Sequence, residues 1–137
     1  MTHIFPVRVY YEDTDMAGIV YHANYLRYIE RARSDWVRAA GIDQNAMRES
    51  GLVFVVSRLE ADYLRPARFD DRLEVVTTLE KLSRVRMVFR QKVLRGEEIL
   101  FDSRVTATCM DRSGRVRRLP EGLGAPAAGG GGASEDG

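Results

Sequence analysis

The sequence predicts an α+β domain in which one antiparallel sheet wraps around a single long helix. Three observations carry this. The stretch from Tyr25 to Ala40 repeats apolar residues at helical spacing. After Leu52 the patterned sequence alternates with period two, and its segments are joined by turn residues rather than by helices. The chain has 137 residues, 45% of them hydrophobic, which is one domain's worth with a modest core.

Taken in order, Val7, Val9 and Tyr11 alternate with Arg8, Tyr10 and Glu12 and predict a half-buried strand. An acidic turn follows, with Glu12, Asp13 and Asp15, and Gly18 gives it backbone freedom. Leu26, Ile29, Ala32, Trp36 and Ala40 then share one helical face, while Arg27, Arg31, Asp35 and Arg38 occupy much of the rest. Asn24 is the expected N-cap and Gly41 the expected stop. Asp43 is placed to cap a short further turn ending at Gly51.

Leu52 to Leu64 is rich in β-branched residues and stops at Pro66, which cannot donate to a ladder. Leu73, Val75, Thr77 and Leu79 alternate with mostly polar partners. Val85, Met87 and Phe89 begin another strand that runs to Leu94, and Arg95-Gly96-Glu97 is a hairpin signal. Ile99, Phe101, Val105, Ala107 and Cys109 share a face, and Ser113-Gly114 turns the chain into a short strand near Val116. Beyond Pro120 the composition collapses into Gly and Ala, too poor in apolar surface to offset its ordering entropy. The expected division is a folded domain at 1–120 and a flexible Gly/Ala-rich tail at 121–137.

Composition excludes several function classes. Twenty-one Lys and Arg balance 20 Asp and Glu, a net charge of +1, which argues against a dedicated nucleic-acid binder. Cys109 is the only cysteine, so no intramolecular disulfide forms, and a reducing compartment fits. The N-terminus has no secretory pattern, and no apolar run approaches bilayer length, so the expected location is cytoplasmic. Only two histidines, His3 and His22, are present, with no ligand-spaced cluster; no metal site and no cofactor are expected.

The chemistry concentrates between Tyr10 and Tyr25, Y-Y-E-D-T-D-M-A-G-I-V-Y-H-A-N-Y. Acids just before a helix start face the positive end of its dipole. The N–H groups of that start can hold an anion or a polarised carbonyl oxygen. A carboxylate beside an N–H-rich turn suits attack on an acyl group. The same acids would also serve to cap and solvate a loop.

The segment Y-E-D-T-D-M-A-G-I-V-Y-H-A-N-Y-L-R-Y-I-E-R-A-R closely resembles the start of the hotdog-fold acyl-CoA thioesterases. It is most similar to the branch found beside bacterial Tol-Pal envelope genes, which is related to 4-hydroxybenzoyl-CoA thioesterase. D-Y-L-R-P-A-R-F-D-D, from Asp62 to Asp71, is a second match, and C-M-D…R-R-L-P, from Cys109 to Pro120, a weaker third. The resemblance implies hydrolysis of acyl-CoA to free acid and coenzyme A, with acyl carrier protein as another possible acyl donor. It implies a homodimer or homotetramer with the site at a subunit interface, in keeping with the pairing that exposed sheet edges favour.

Carried onto this sequence, the resemblance makes Asp15 the catalytic carboxylate, as nucleophile or as the base that activates water. His22 sits at the family's helix start. Its side chain would orient substrate, hydrogen-bond Asp15, or fill the turn. The N–H groups of Tyr21 and His22 are oxyanion candidates. Gly18, Tyr21 and Tyr25 are the expected substrate-binding positions, with the first core residue of the helix as the other reading of Tyr25. Arg84, Arg86, Arg115, Arg117 and Arg118 offer cations for the coenzyme A phosphates. The Asp62 to Asp71 bend reads as scaffold. A Cys109–His22–Asp15 triad can be drawn, but the alternation around Cys109 makes it a buried strand thiol. The alternative to an enzyme is a non-catalytic hotdog module that binds acyl groups or serves an envelope-associated assembly.

Overall fold

The computed structural model describes residues 2–121 and 123. Its elements are β1 (Thr2–Arg8), a 3-10 turn (Tyr11–Asp13), α1 (Asn24–Ala39), α2 (Gln44–Glu49), β2 (Val53–Tyr63), β3 (Arg72–Leu82), β4 (Arg86–Arg95), β5 (Glu98–Met110) and β6 (Val116–Arg117). The strands form one antiparallel sheet in the order β1-β3-β4-β5-β2, with β6 pairing the end of β5. The sheet wraps around α1, which is the α+β hotdog architecture expected from the sequence.

Register explains why the strands bury one face. Val75, Val93 and Phe101 lie side by side, as do Met87 and Ala107, and all are buried. Tyr25, Tyr28, Ile29, Ala32, Trp36 and Val37 of α1 pack onto this face, in two clusters. Burying side chains of this size contributes roughly 1.5–3 kcal/mol each.

One inner row is polar. Thr77, Gln91 and Ser103 pair across β3, β4 and β5, and all three are buried. The Gln91 amide donates to the Ile29 carbonyl at 2.9 Å and to Thr77 Oγ1 at 3.0 Å, and its oxygen accepts from Arg33 at 2.9 Å. The Ser103 hydroxyl donates to the Gln91 carbonyl at 2.8 Å. Each of these three side chains is thereby hydrogen-bonded, and the row fixes the height of α1 over the sheet. Removing one partner would strand the others at about 1–3 kcal/mol.

Two expectations need correction. The first strand begins at Thr2 and ends at Arg8, so Tyr11 is not part of it. Tyr11 lies in the 3-10 turn and is exposed, because the Asp13 carboxylate accepts the Tyr10 N–H at 2.9 Å and closes the chain locally. Asn24 is not the N-cap of α1. It is the first helical residue, Ala23 precedes it at φ −72° and ψ −19°, and its side-chain amide donates to the Asp13 carbonyl at 2.9 Å. Past Pro120, Leu123 is 2% exposed within the second cluster. The remainder of the tail assigned at 121–137, apart from Glu121, lies outside the described residues. Among the described residues no helix is long and apolar enough to cross a membrane.

Candidate active site

Asp15 sits at the head of a narrow loop. Thr14 and Val20 form a β-bridge, the Asp15 N–H donates to the Ile19 carbonyl at 2.9 Å, and the Gly18 N–H donates to the Asp15 carbonyl at 3.0 Å. Gly18 has φ +82°, a left-handed conformation that side chains resist, so the turn requires glycine. The Asp15 carboxylate accepts the Ala17 N–H at 2.8 Å through Oδ1. The carboxylate is thus oriented by its own turn and faces solvent, beside a fully exposed Met16. Asp13 is different: its carboxylate is spent on the Tyr10 N–H inside the 3-10 turn. The two acids do not continue an extended strand together.

The helix start lies next along the chain. Tyr21 contributes no free donor, contrary to the expectation, because its N–H donates to the Asp13 carbonyl at 2.9 Å. Its carbonyl accepts the Asn24 N–H at 2.8 Å. Among the described residues the N–H groups of His22 and Ala23 have no acceptor. They are left open because no side chain caps α1. The His22 ring packs against Tyr21, with centroids 4.6 Å apart, and makes no hydrogen bond to Asp15.

Tyr25 is 3% exposed and stacks on Phe101, with centroids 5.0 Å apart and planes 14° from parallel. Its hydroxyl accepts the Ala67 N–H at 3.0 Å. Burial pushes its phenol up, so it stays protonated. The structure therefore puts Asp15, Gly18, Tyr21 and His22 at the surface and Tyr25 beneath them, in the core.

The second motif holds the first. Ile19 bridges Arg68, and the Val20 N–H donates to the Ala67 carbonyl at 2.8 Å. The Tyr63 hydroxyl donates to the His22 carbonyl at 2.8 Å. Asp71 accepts the Arg68 N–H at 2.8 Å and Arg95 Nη1 at 2.7 Å, and Arg95 also reaches the Pro66 carbonyl at 3.3 Å. Arg95 looked only like a hairpin residue in the sequence. Nothing local indicates that its guanidinium spans to a bend 24 positions earlier.

Two cavities are lined by residues other than those of the Asp15 loop. One of about 770 Å³ is framed by Arg38, Ile42, Met47, Leu52 and Phe54, away from Asp15. One of about 170 Å³ lies between α1 and the β2 side of the sheet, with Arg33, Val37, Phe54 and Phe89 in its wall. Of the arginines offered to phosphate, Arg117 is held by Asp111 at 2.7 Å. Arg84, Arg86, Arg115 and Arg118 form no ion pair among the described residues. No group of His, Cys, Asp and Glu among those residues is arranged to hold a metal. Taken together, an anchored, solvent-facing carboxylate follows one side of a turn whose other end carries two open backbone donors. That pairing suits addition to an acyl carbonyl.

Residues 9–126 match the thioesterase-like superfamily. Acyl-CoA thioester hydrolase YbgC of Escherichia coli O6:H1 is 38% identical over 121 residues, covering 87% of this chain and 90% of that protein. Acyl-CoA thioesterase YbgC of Haemophilus influenzae is 42% identical over 108 residues, covering 78% and 79%. The crystal structure of a probable thioesterase from Bartonella henselae superposes with a TM-score of 0.83 at 38% identity, covering 88% of this chain and all of that one, 100%.

Proposed function

The chain belongs to the thioesterase-like superfamily, and on that premise we propose how it works as an acyl-CoA thioesterase, hydrolysing acyl-S-CoA to a carboxylic acid and free coenzyme A. The observation that carries the mechanism is the pairing of the Asp15 carboxylate, oriented by the Ala17 N–H, with the unengaged N–H groups at the start of α1. Asp15 either takes a proton from the attacking water or itself adds to the carbonyl carbon. On either path the carbonyl oxygen gains negative charge, which the helix-start donors stabilise. The C–S bond then breaks and coenzyme A departs as a thiolate; on the water path that thiolate takes the proton Asp15 accepted, and on the covalent path a water then hydrolyses the acyl–Asp15 anhydride to release the acid and restore the carboxylate. Gly18 keeps the loop flat enough for substrate to approach, Tyr21 and His22 line the mouth, and Tyr25 supports the site from below.

We further propose that the working unit is a homodimer or homotetramer. Among the described residues β2 pairs only with β5, leaving its other edge open, and it exposes Val56, Leu59 and Tyr63. Such an edge invites a second copy, which would also enclose the solvent-facing Asp15. The free buried thiol of Cys109 fits a reducing cytoplasm. The first motif supports the branch beside Tol-Pal envelope genes, and we propose acyl carrier protein as a second acyl donor for the same pocket.

Thiol release from acyl-CoA substrates of graded chain length, with an aromatic thioester among them, tests this function. Turnover on at least one is expected. No release from any would sink the catalytic reading and leave a non-catalytic acyl-binding module.

A further inference from the structure

The open donors at the start of α1 belong to two successive peptide groups. The Tyr21–His22 peptide supplies the His22 N–H, and its carbonyl is held by the Asn24 N–H at 2.8 Å. The His22–Ala23 peptide supplies the Ala23 N–H. In a regular helix its carbonyl would take the Leu26 N–H. Here the Leu26 N–H goes to the Ala23 carbonyl at 3.1 Å instead. The His22 carbonyl is taken by Tyr63, whose hydroxyl donates to it at 2.8 Å from the end of β2.

The Tyr63 ring is fixed for this task. It meets Phe101 at 4.9 Å and Tyr25 at 5.5 Å, both edge to face. The residue is half exposed, yet desolvation of the hydroxyl raises its phenol, which keeps the donor proton in place. In a planar trans peptide the N–H points opposite the C=O. A hydrogen bond at the carbonyl oxygen therefore sets the direction of the N–H and polarises it, strengthening it as a donor.

We infer that Tyr63 is a positioning residue for thioester hydrolysis: by holding the His22 carbonyl it aims and strengthens the Ala23 N–H as a second oxyanion donor beside the His22 N–H. The inference rests on the thioesterase mechanism proposed above, and it adds a residue at the end of β2 that acts through the His22–Ala23 peptide.

Tyr63→Phe tests it, because the ring and its aromatic contacts remain and only the hydroxyl is lost. The Ala23 amide nitrogen resonance is expected to move upfield in the free protein, since its peptide loses the carbonyl hydrogen bond. Turnover number should fall about 10-fold, less than the loss of a whole oxyanion donor, with KM for acyl-CoA nearly unchanged and the melting temperature within a few degrees of wild type. Unchanged turnover number in Tyr63→Phe, alongside a collapsed Asp15→Asn, would overturn the inference while leaving the thioesterase mechanism standing. Equal shifts in KM and melting temperature without a turnover effect would also overturn it, as a merely structural role. If Asp15→Asn itself keeps full turnover, the underlying mechanism fails, and the Ala23 resonance alone then decides whether Tyr63 governs that peptide.

Discussion

Arg95 Nη1 stands 2.7 Å from Asp71 Oδ2, joining the β4–β5 hairpin to the bend that carries Ala67. The same guanidinium donates to Glu98 at 2.8 Å. Through the Ala67 carbonyl the bend holds Val20, and so fixes one leg of the Asp15 loop. Arg95→Met should therefore lower both stability and turnover. Both partners are partly exposed, at 32% and 22%, so solvent screening limits the effect. A loss of roughly 1–2 kcal/mol is expected. Arg95→Lys keeps the charge but not the fork and should recover only part of it. Thermal melts and acyl-CoA hydrolysis of the two variants check this; wild-type values for Arg95→Met would show the bend to be held by other means.

Asp15→Asn nearly preserves shape and removes the charge needed for either catalytic path. Turnover should drop by about 10² to 10⁴ while KM changes little. His22→Ala should be milder, because the backbone N–H remains and the imidazole makes no hydrogen bond to Asp15. Spectrophotometric thiol release measures both, and undiminished turnover in folded Asp15→Asn would remove the mechanism.

Cys109→Ala should remain fully active. The thiol is buried on β5 among core side chains, and burial pushes its pKa up, against the thiolate a nucleophile needs. The cost should be confined to stability, about 1 kcal/mol. Inactivity of a folded Cys109→Ala enzyme would restore the thiol triad.

Acid should destabilise the protein through two carboxylates. The hydrogen bond from Arg90 holds Asp102 below the ordinary carboxylate range. Hydrogen bonds from the Ser113 hydroxyl, the Arg117 guanidinium and backbone N–H groups do the same for Asp111. A carboxyl depressed in the folded state contributes stability that is fully present above its unfolded pKa, near ~4, and is lost as pH falls through the folded value. Urea midpoints should thus hold steady near neutrality on this account and fall below about pH 4. Asp102→Asn should show a shallower acid decline; an identical one would mean that other groups govern it.

Leu123→Ala should cost roughly 2–3 kcal/mol, because Leu123 is 2% exposed against the cluster containing Trp36 and Phe89. Chemical denaturation measures it. A neutral result would support a domain boundary at Pro120, where composition places it.

The sequence by itself determined the α+β class, the single long helix, the turn at Gly96 and the Asp43 cap. Each is set by local period or by one residue's backbone preference, so each can be read along the chain. Spacing alone left Asp15 as either a loop cap or a catalytic acid, and only the resemblance to the hotdog thioesterases singled it out; Gly18 was legible because the turn needs its backbone freedom. What lay beyond the sequence was partner choice among backbone groups. Asn24 has the chemistry of a cap, yet its amide goes to the Asp13 carbonyl. Tyr21 stands where an oxyanion donor was expected, yet its N–H is consumed by the same carbonyl. Gln91 alternates like any strand residue, yet it is wholly buried and grips a helix carbonyl 62 positions earlier. Tyr63 and Arg95 reach the Asp15 region from other strands. Hydrogen bonds at such separations depend on which surfaces the sheet brings together, and only the tertiary structure decides which donor meets which acceptor.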